Sequence, residues 1–558
     1  MEDFARGAEN DRAADFVALG GTVLTLDRAG RRAGALAAKA GRIIAIGTDR
    51  EIAELIGPDT RVLDLGGRTA IPGFVESHNH PAFFGMTLAA PVDAGSPPND
   101  TIDDIAGRVA QAVSDRGPGE WVRGFRYDDT LLADRRHPAR SDLDAVSPRN
   151  PVVLTHVSGH FCVANSAALR EVGITATTPD PPGGHIARDE RGEPTGLLVE
   201  TAAFLVTSRL PGQSADDLAD ALRLADAEYL ANGITSVHDT GIGLIGGSAE
   251  LEAYRTLWRT GGLRTRIRGY LFDGLVPGLA EGRPERPDLV DAGDRFALTG
   301  VKIIADGSIQ GRTGCLAEGY TCDPGEHGMM LVEPADLGQR IAALDAAGWQ
   351  VAVHGNGDAA IDAIIDGYSR LGAPDGTGRR HRIEHCQTVR EDQLDRMAAH
   401  DVLASFFIKH VYYWGDRHHD TFLGPERARR ISPLASARKR GIHFGLHSDT
   451  PVTPVPPLEG IWCAVRRTTR EGVVLGPEQA IDVDAALRGY TIDAAYLAGE
   501  EDLKGSLEAG KLADLAVLSD DPTTVDPDRL RSLRVEATVS GGEIAWRHAS
   551  FPDARSPR

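Results

Sequence analysis

His78 and His80 flank Asn79 at the end of the strand-like run 70–77. Side chains repeat every second residue along a strand, so the two imidazoles leave the same face and can converge on one ion. A divalent ion held by such a pair lowers the pKa of a bound water to roughly 7. Four more strand-like segments end in residues that bind or support a metal. Segment 300–307 places Lys302 in an apolar run, where a charged ammonium is costly to bury. Segments 350–354 and 382–385 end in His354 and His385, and 443–449 ends in Asp449 before the breaker Thr450-Pro451. Each residue alone has a plainer role: a strand lysine usually snorkels to water, and a strand-end histidine or aspartate usually caps or hydrogen-bonds. The ordered set of six argues for a metal site.

Eight apolar, strand-length segments are available to position these groups, at 70–77, 151–156, 233–239, 300–305, 350–354, 382–385, 402–408 and 442–447. Helical periodicity lies between several of them, as in 215–230 and 337–347. This predicts an α/β fold, a (β/α)8 TIM-like barrel whose chemistry sits at the C-terminal strand ends. Residues 15–69 and those after 505 alternate short β patterns with turns, and neither flank can bury a core alone. The expected domains are 1–69 and 501–558, which together make a small β-sandwich, and a barrel over 70–500. Two connections, about 81–150 and 157–232, exceed ordinary βα units and are expected to be inserted lid segments that shape a pocket. The second reads as a strand, a polar turn and a return strand over 182–198.

Sixty basic against 81 acidic residues in 558 leave a net charge of -21, which argues against nucleic acid or anionic membrane as partners. Residues 1–15 are polar, and no apolar run reaches membrane-spanning length. Five irregularly spaced cysteines fit no zinc ribbon, and a reduced cytoplasmic location is the simplest reading. Cys386, beside His385, reads better as a small core residue than as a nucleophile.

The chain resembles the amidohydrolase superfamily, and within it the amidohydrolase family 3, or YtcJ-like, branch that includes N-substituted formamide deformylases. The matching stretches are Pro72-Gly73-Phe74-Val75, Thr155-His156-Val157-Ser158-Gly159-His160 with Asn165-Ser166-Ala167-Ala168-Leu169, and Val301-Lys302-Ile303 with Asp306-Gly307-Ser308. They continue through Arg382-Ile383-Glu384-His385 and Ser448-Asp449-Thr450-Pro451-Val452 to Gly505-Ser506-Leu507-Glu508-Ala509-Gly510-Lys511-Leu512-Ala513-Asp514-Leu515. The resemblance implies a metal-dependent hydrolase in which His78, His80 and Asp449 hold one ion, and His354 and His385 hold a second or orient the scissile carbonyl. Lys302, carboxylated by carbon dioxide, would bridge two ions. Metal-bound hydroxide would attack the carbonyl, with Asp449 as the proton shuttle and His385 or a metal at the oxyanion. One or two divalent ions are implied, zinc first, with iron, manganese, cobalt and nickel fitting the same donors.

The expected partner is a small-molecule substrate, with a homodimer left open. His156, His160 and His238, each near a strand end, are second-tier candidates for contacting it. Where relatives show Gly-Trp-Asp this chain has Arg126-Tyr127-Asp128, which alters a pocket wall; Trp414, with Tyr412 and Tyr413, offers replacement apolar surface. Deaminases of the superfamily carry a glutamate near the strand-five histidine, and 354–358 has none. Cleavage of an amide-type C–N bond, as in an N-substituted formamide or other N-acyl amine, is therefore favoured over deamination, ester or carbamate hydrolysis. Relatives that lack the metal ligands act as regulators; here every ligand position is filled.

Overall fold

The computed structural model describes residues 13–551 apart from 97, 115, 209, 211–212, 286–292, 294 and 373–378. Most of the polar N-terminal stretch read above lies outside these residues. Eight parallel strands form the central sheet, in chain order Phe74–Asn79, Ile234–Ile242, Arg266–Phe272, Phe296–Ile304, Gln350–Gly355, Arg382–His385, Leu403–Phe406 and Phe444–Leu446. They are called barrel strands one to eight below. Each is paired with its successor, and the sheet curls until strands one and eight meet, where Ser77 Oγ donates to Leu446 O at 3.1 Å. Helix Ile492–Leu497 packs against both strands at this seam. The result is a TIM-like barrel with added sheets.

Two sequence expectations are corrected here. Segment 151–156 is not a barrel strand: Val152–His156 lies in a separate six-stranded sheet, parallel to Val122–Tyr127 and antiparallel to Phe161–Ala164. The third barrel strand is Arg266–Phe272, whose alternating arginines hide its buried character: Arg266 Nε sits 2.7 Å from Asp514, and Arg268 pairs with Glu500. The two expected insertions are consequently one. It runs from the end of strand one to the start of strand two and carries its own sheet, including the hairpin Gly184–Arg188 with Pro194–Glu200.

The helix Ala215–Ala231 closes this insertion. Ser214 caps it by accepting from Asp217 N while Asp217 reaches back to Ser214 N. Leu218, Leu222, Ala225 and Tyr229 recur at helical spacing and are buried. It packs on Pro81–Leu88 so closely that a Cβ at Gly85 would fall 1.8 Å from Ala221 O. Only glycine permits that approach.

Both flanks build the sandwich. One sheet orders Arg42–Gly47, Ala35–Lys39, Ala14–Leu19 and Ile56–Asp64; the other orders Glu543–Arg547, Val535–Ser540, Leu515–Leu518, Thr69–Pro72, Thr22–Leu24 and Arg32–Ala33. Phe16, Leu36, Val23, Leu515 and Val539 meet between the sheets in one buried cluster. The run 70–77 therefore belongs to two bodies, with the change at Gly73: Thr69–Pro72 is sandwich and Phe74–Asn79 is barrel.

Candidate metal centre at the mouth of the barrel

Strand one is buried at every position and delivers His78 and His80 to the C-terminal end of the barrel. Strand six brings His385, and the turn after strand eight brings Asp449. Asp449 Oδ1 lies 3.2 Å from His78 Nε2 and 3.3 Å from His80 Nε2, and its Oδ2 lies 3.9 Å from His385 Nδ1. His385 and Asp449 both adopt left-handed backbone, with φ of 72° and 53°. Such strain concentrates where a side chain must be aimed.

The donor set fits a divalent cation on a direct observation. His78 Nε2, His385 Nδ1 and Asp449 Oδ1 are buried without hydrogen-bond partners, and ligand atoms of these three residues lie within 4.8 Å of one another. Orphaned polar atoms are costly unless something binds them. Their charge states suit the task. Burial, reinforced by neighbouring His354, holds His385 neutral, well below the usual imidazole range. Burial opposes charge on Asp449, but His78 and His80 outweigh it and keep the carboxyl well below the usual carboxylate range.

The neighbours fix these ligands. Glu384 Oε2 lies 2.7 Å from His78 Nδ1, which sets the tautomer that frees Nε2. Burial opposes ionisation of Glu384 and is overcome chiefly by Arg382, whose Nε donates to it at 2.6 Å. His447 stacks on His78 with ring centroids 4.7 Å apart. The sequence reading passed over Glu384 and His447 as site groups. The signal was present: Arg382 and Glu384 alternate as opposite charges on one face of a short strand, and His447 and Asp449 share the same two-residue spacing as His78 and His80.

His354 and Lys302 stand differently. His354 reaches the cluster through His385, with Nδ1 3.1 Å from His385 Nε2, while its own Nε2 lies 3.0 Å from Gly307 O. Lys302 is buried, burial pushes its ammonium down to about 8, and no ion pair within 4 Å engages it among the described residues.

Of the second-tier candidates, His160 comes nearest, its ring 5.9 Å from that of His354 and its Nδ1 2.8 Å from Glu200 Oε2. His156 is engaged by Asp129 at 3.1 Å and by Ser158 at 2.8 Å. Asp128 accepts from Thr130 N at 3.0 Å and Arg417 at 3.2 Å, which ties the insertion to the helix His410–Arg417. Trp414 is buried with Phe407 and Val452, and Val157 of the insertion packs on them. His238 points into the barrel, where Arg382 donates to its Nδ1 at 3.1 Å; burial and that guanidinium hold it neutral. Cys386 is a buried free thiol that burial pushes far above its usual range, as expected of a core residue. Among the described residues no helix is long and apolar enough to cross a membrane.

The chain is similar to known proteins along most of its length. The model of the Amidohydrolase family matches residues 61–545. N-substituted formamide deformylase of Arthrobacter pascens is 33% identical over 95% of this chain and 98% of its own. Protein LONG AFTER FAR-RED 3 of Arabidopsis thaliana is 32% identical, with 91% of this chain and 87% of that one covered. A solved structure described as an uncharacterized metal-dependent hydrolase from Pyrococcus horikoshii OT3 is 26% identical and superposes with a TM-score of 0.73, covering 92% of this chain and 99% of that one. With a family match spanning the barrel and most of the C-terminal flank, the chain belongs to the amidohydrolase family.

Proposed function

We propose that the protein is a divalent-metal-dependent hydrolase of an amide-type C–N bond, acting on an N-substituted formamide or another N-acyl amine. The observation that carries this reading is the convergence of three unpaired buried donors, from His78, His385 and Asp449, at the mouth of the barrel. The similarity to a formamide deformylase supports the bond type.

His78, His80, His385 and Asp449 would hold the ion, and zinc suits nitrogen and carboxylate donors. When bound, a divalent ion supplies Lewis acidity that makes a water nucleophilic near neutral pH and polarises a carbonyl. Asp449 keeps a second carboxylate oxygen to accept the proton of the attacking water. Glu384 and Arg382 orient His78 from below, and His354 braces His385. One ion is favoured, because His354 Nε2 is turned onto Gly307 O. Lys302 is the group whose carboxylation would complete a second-ion site, and its lack of an ion-pair partner among the described residues suits that chemistry.

The test pairs metal analysis of the purified protein with a screen of N-formyl and N-acyl amines, scored for both amine and acid release. Amine release by metal-loaded protein, lost on chelation and restored by zinc, is expected. Ammonia release from cyclic amidines with no cleavage of any N-acyl amine would overturn this reading in favour of a deaminase.

A further inference from the structure

We propose that His160 and Glu200 form a proton-donating pair for the departing amine, His160 as a catalytic residue and Glu200 as its positioning residue. This rests on the amide-hydrolase reading above and adds a role for the inserted sheet, which contributes both residues.

The pair is built from two directions. Glu200 N donates to His160 O at 2.8 Å, and His160 Nδ1 returns a hydrogen bond to Glu200 Oε2 at 2.8 Å. A carboxylate only accepts, so Nδ1 carries the hydrogen and Nε2 is the working position. No partner for Nε2 occurs among the described residues. The Glu200 side chain is 4% exposed and that of His160 18%, so the carboxylate is sealed while the imidazole opens toward the mouth. There it faces His354, one ring away from the metal ligand His385.

Glu200 is held at a cost that a plain strut does not require. It occupies the turn from strand Pro194–Glu200 to helix Thr201–Thr207 with φ 51° and ψ -124°, a conformation that L residues rarely adopt. The same strained strand-to-helix turn aims nucleophiles in other hydrolase folds. Its second oxygen, Oε1, is buried without a partner, and a Cβ at Gly307 would fall 2.4 Å from it. Gly307 follows strand four and gives its carbonyl to His354 Nε2. The insertion is therefore seated on the loop that holds His354, the brace of the proposed ligand His385.

The water oxygen forms the new C–O bond and its proton passes to Asp449. His160 enters as the imidazolium, which the Glu200 carboxylate favours against burial, so Nε2 carries a second proton; when the C–N bond breaks, its electron pair stays on nitrogen, which takes that proton and leaves His160 neutral. Return of the Asp449 proton to His160 through solvent leaves one water added across the bond and no net change on the protein.

A general acid matters for a basic amine and little for a phenolate that departs unaided. The experiment compares the native protein with His160→Gln, His160→Ala and Glu200→Gln on N-butylformamide and on 4-nitrophenyl formate, with bound metal measured in each. Loss of a positioned acid costs about 10² to 10⁴ in rate. The His160 variants are expected to lower the ratio of amide to ester kcat at least about thirtyfold with metal retained. Glu200→Gln should lower it less, and should remove the downfield Nδ1 proton resonance of His160 seen by NMR in the native protein. Equal losses on both substrates, or an unchanged ratio, overturn the pair while leaving the hydrolase reading intact. Native protein that cleaves the ester alone, or neither compound and no other N-acyl amine, overturns the amide reading itself and the pair with it.

Discussion

His78 and Glu384 stand on barrel strands one and six, and their side chains meet across the interior at 2.7 Å. A carboxylate on the far wall thus decides which nitrogen of His78 faces the mouth. Glu384→Gln keeps the shape and removes the charge. Loss of such a supporting partner typically lowers metal affinity about 10- to 100-fold. It also uncovers Arg382, and breaking a buried pair costs about 3–5 kcal/mol. Zinc titration and urea denaturation read the two effects separately, and an unaltered zinc affinity would show that Glu384 serves the core alone.

Replacing His80 by alanine takes one donor from the ion, whereas replacing Lys302 does not if the site holds a single metal. The expected metal content is well below one per chain for His80→Ala and about one per chain for Lys302→Ala, with both proteins folded by circular dichroism. Two ions in the native protein, falling to one in Lys302→Ala, would replace the single-ion proposal with a carboxylated bridge.

Asp449→Asn separates holding the ion from moving a proton, since an amide oxygen still coordinates but is no base. We expect kcat to fall about 10²- to 10⁴-fold while metal stays bound. A variant within threefold of native kcat would remove Asp449 as the base.

Glu250 supplies a pH prediction remote from the metal. It is buried in helix Ser248–Thr260, accepts from Gly243 N and Gly246 N at 2.7 and 3.1 Å, and faces Asp239, itself bonded by Tyr254. Burial raises its carboxyl above the ordinary 4.5, so the fold binds its proton more tightly than the unfolded chain does. That contribution is complete below about pH 4.5 and is lost as pH rises through the raised pKa. Glu250→Gln retains the two acceptor bonds without a charge to bury. Its melting temperature should therefore decline less than the native one from pH 5 to 8, and parallel curves would disprove the assignment.

Much of the candidate site could be read from the chain because donors at strand ends keep both residue type and alternation, as His78 and His80 do. The barrel was legible in number but not in membership. Val152–His156 has the apolar content of a buried strand and is one, but in the inserted sheet, parallel to one neighbour and antiparallel to the other. Arg266–Phe272 lacks that content because its arginines are neutralised by Asp514 and Glu500, partners remote in sequence that no local pattern reveals. The same remoteness hid Glu384 as the orienting partner of His78. It also left His238 a second-tier candidate for contacting substrate, since its partner Arg382 lies 144 residues away in sequence.

The strand that leads into the proposed metal ligands is secured late. Thr69–Pro72 pairs with Leu515–Leu518, and Gly73 N donates to Asp514 O at 2.9 Å, so residues from near the far end of the chain clamp the segment just before Phe74–Asn79. During synthesis His78 and His80 emerge well before Leu515–Leu518, so the sheet that anchors their strand cannot form until that later strand has been made. Binding at the proposed metal site thus depends on the chain having been made through Leu518: a product that stops short of it keeps His78 and His80 and lacks the strand that clamps theirs.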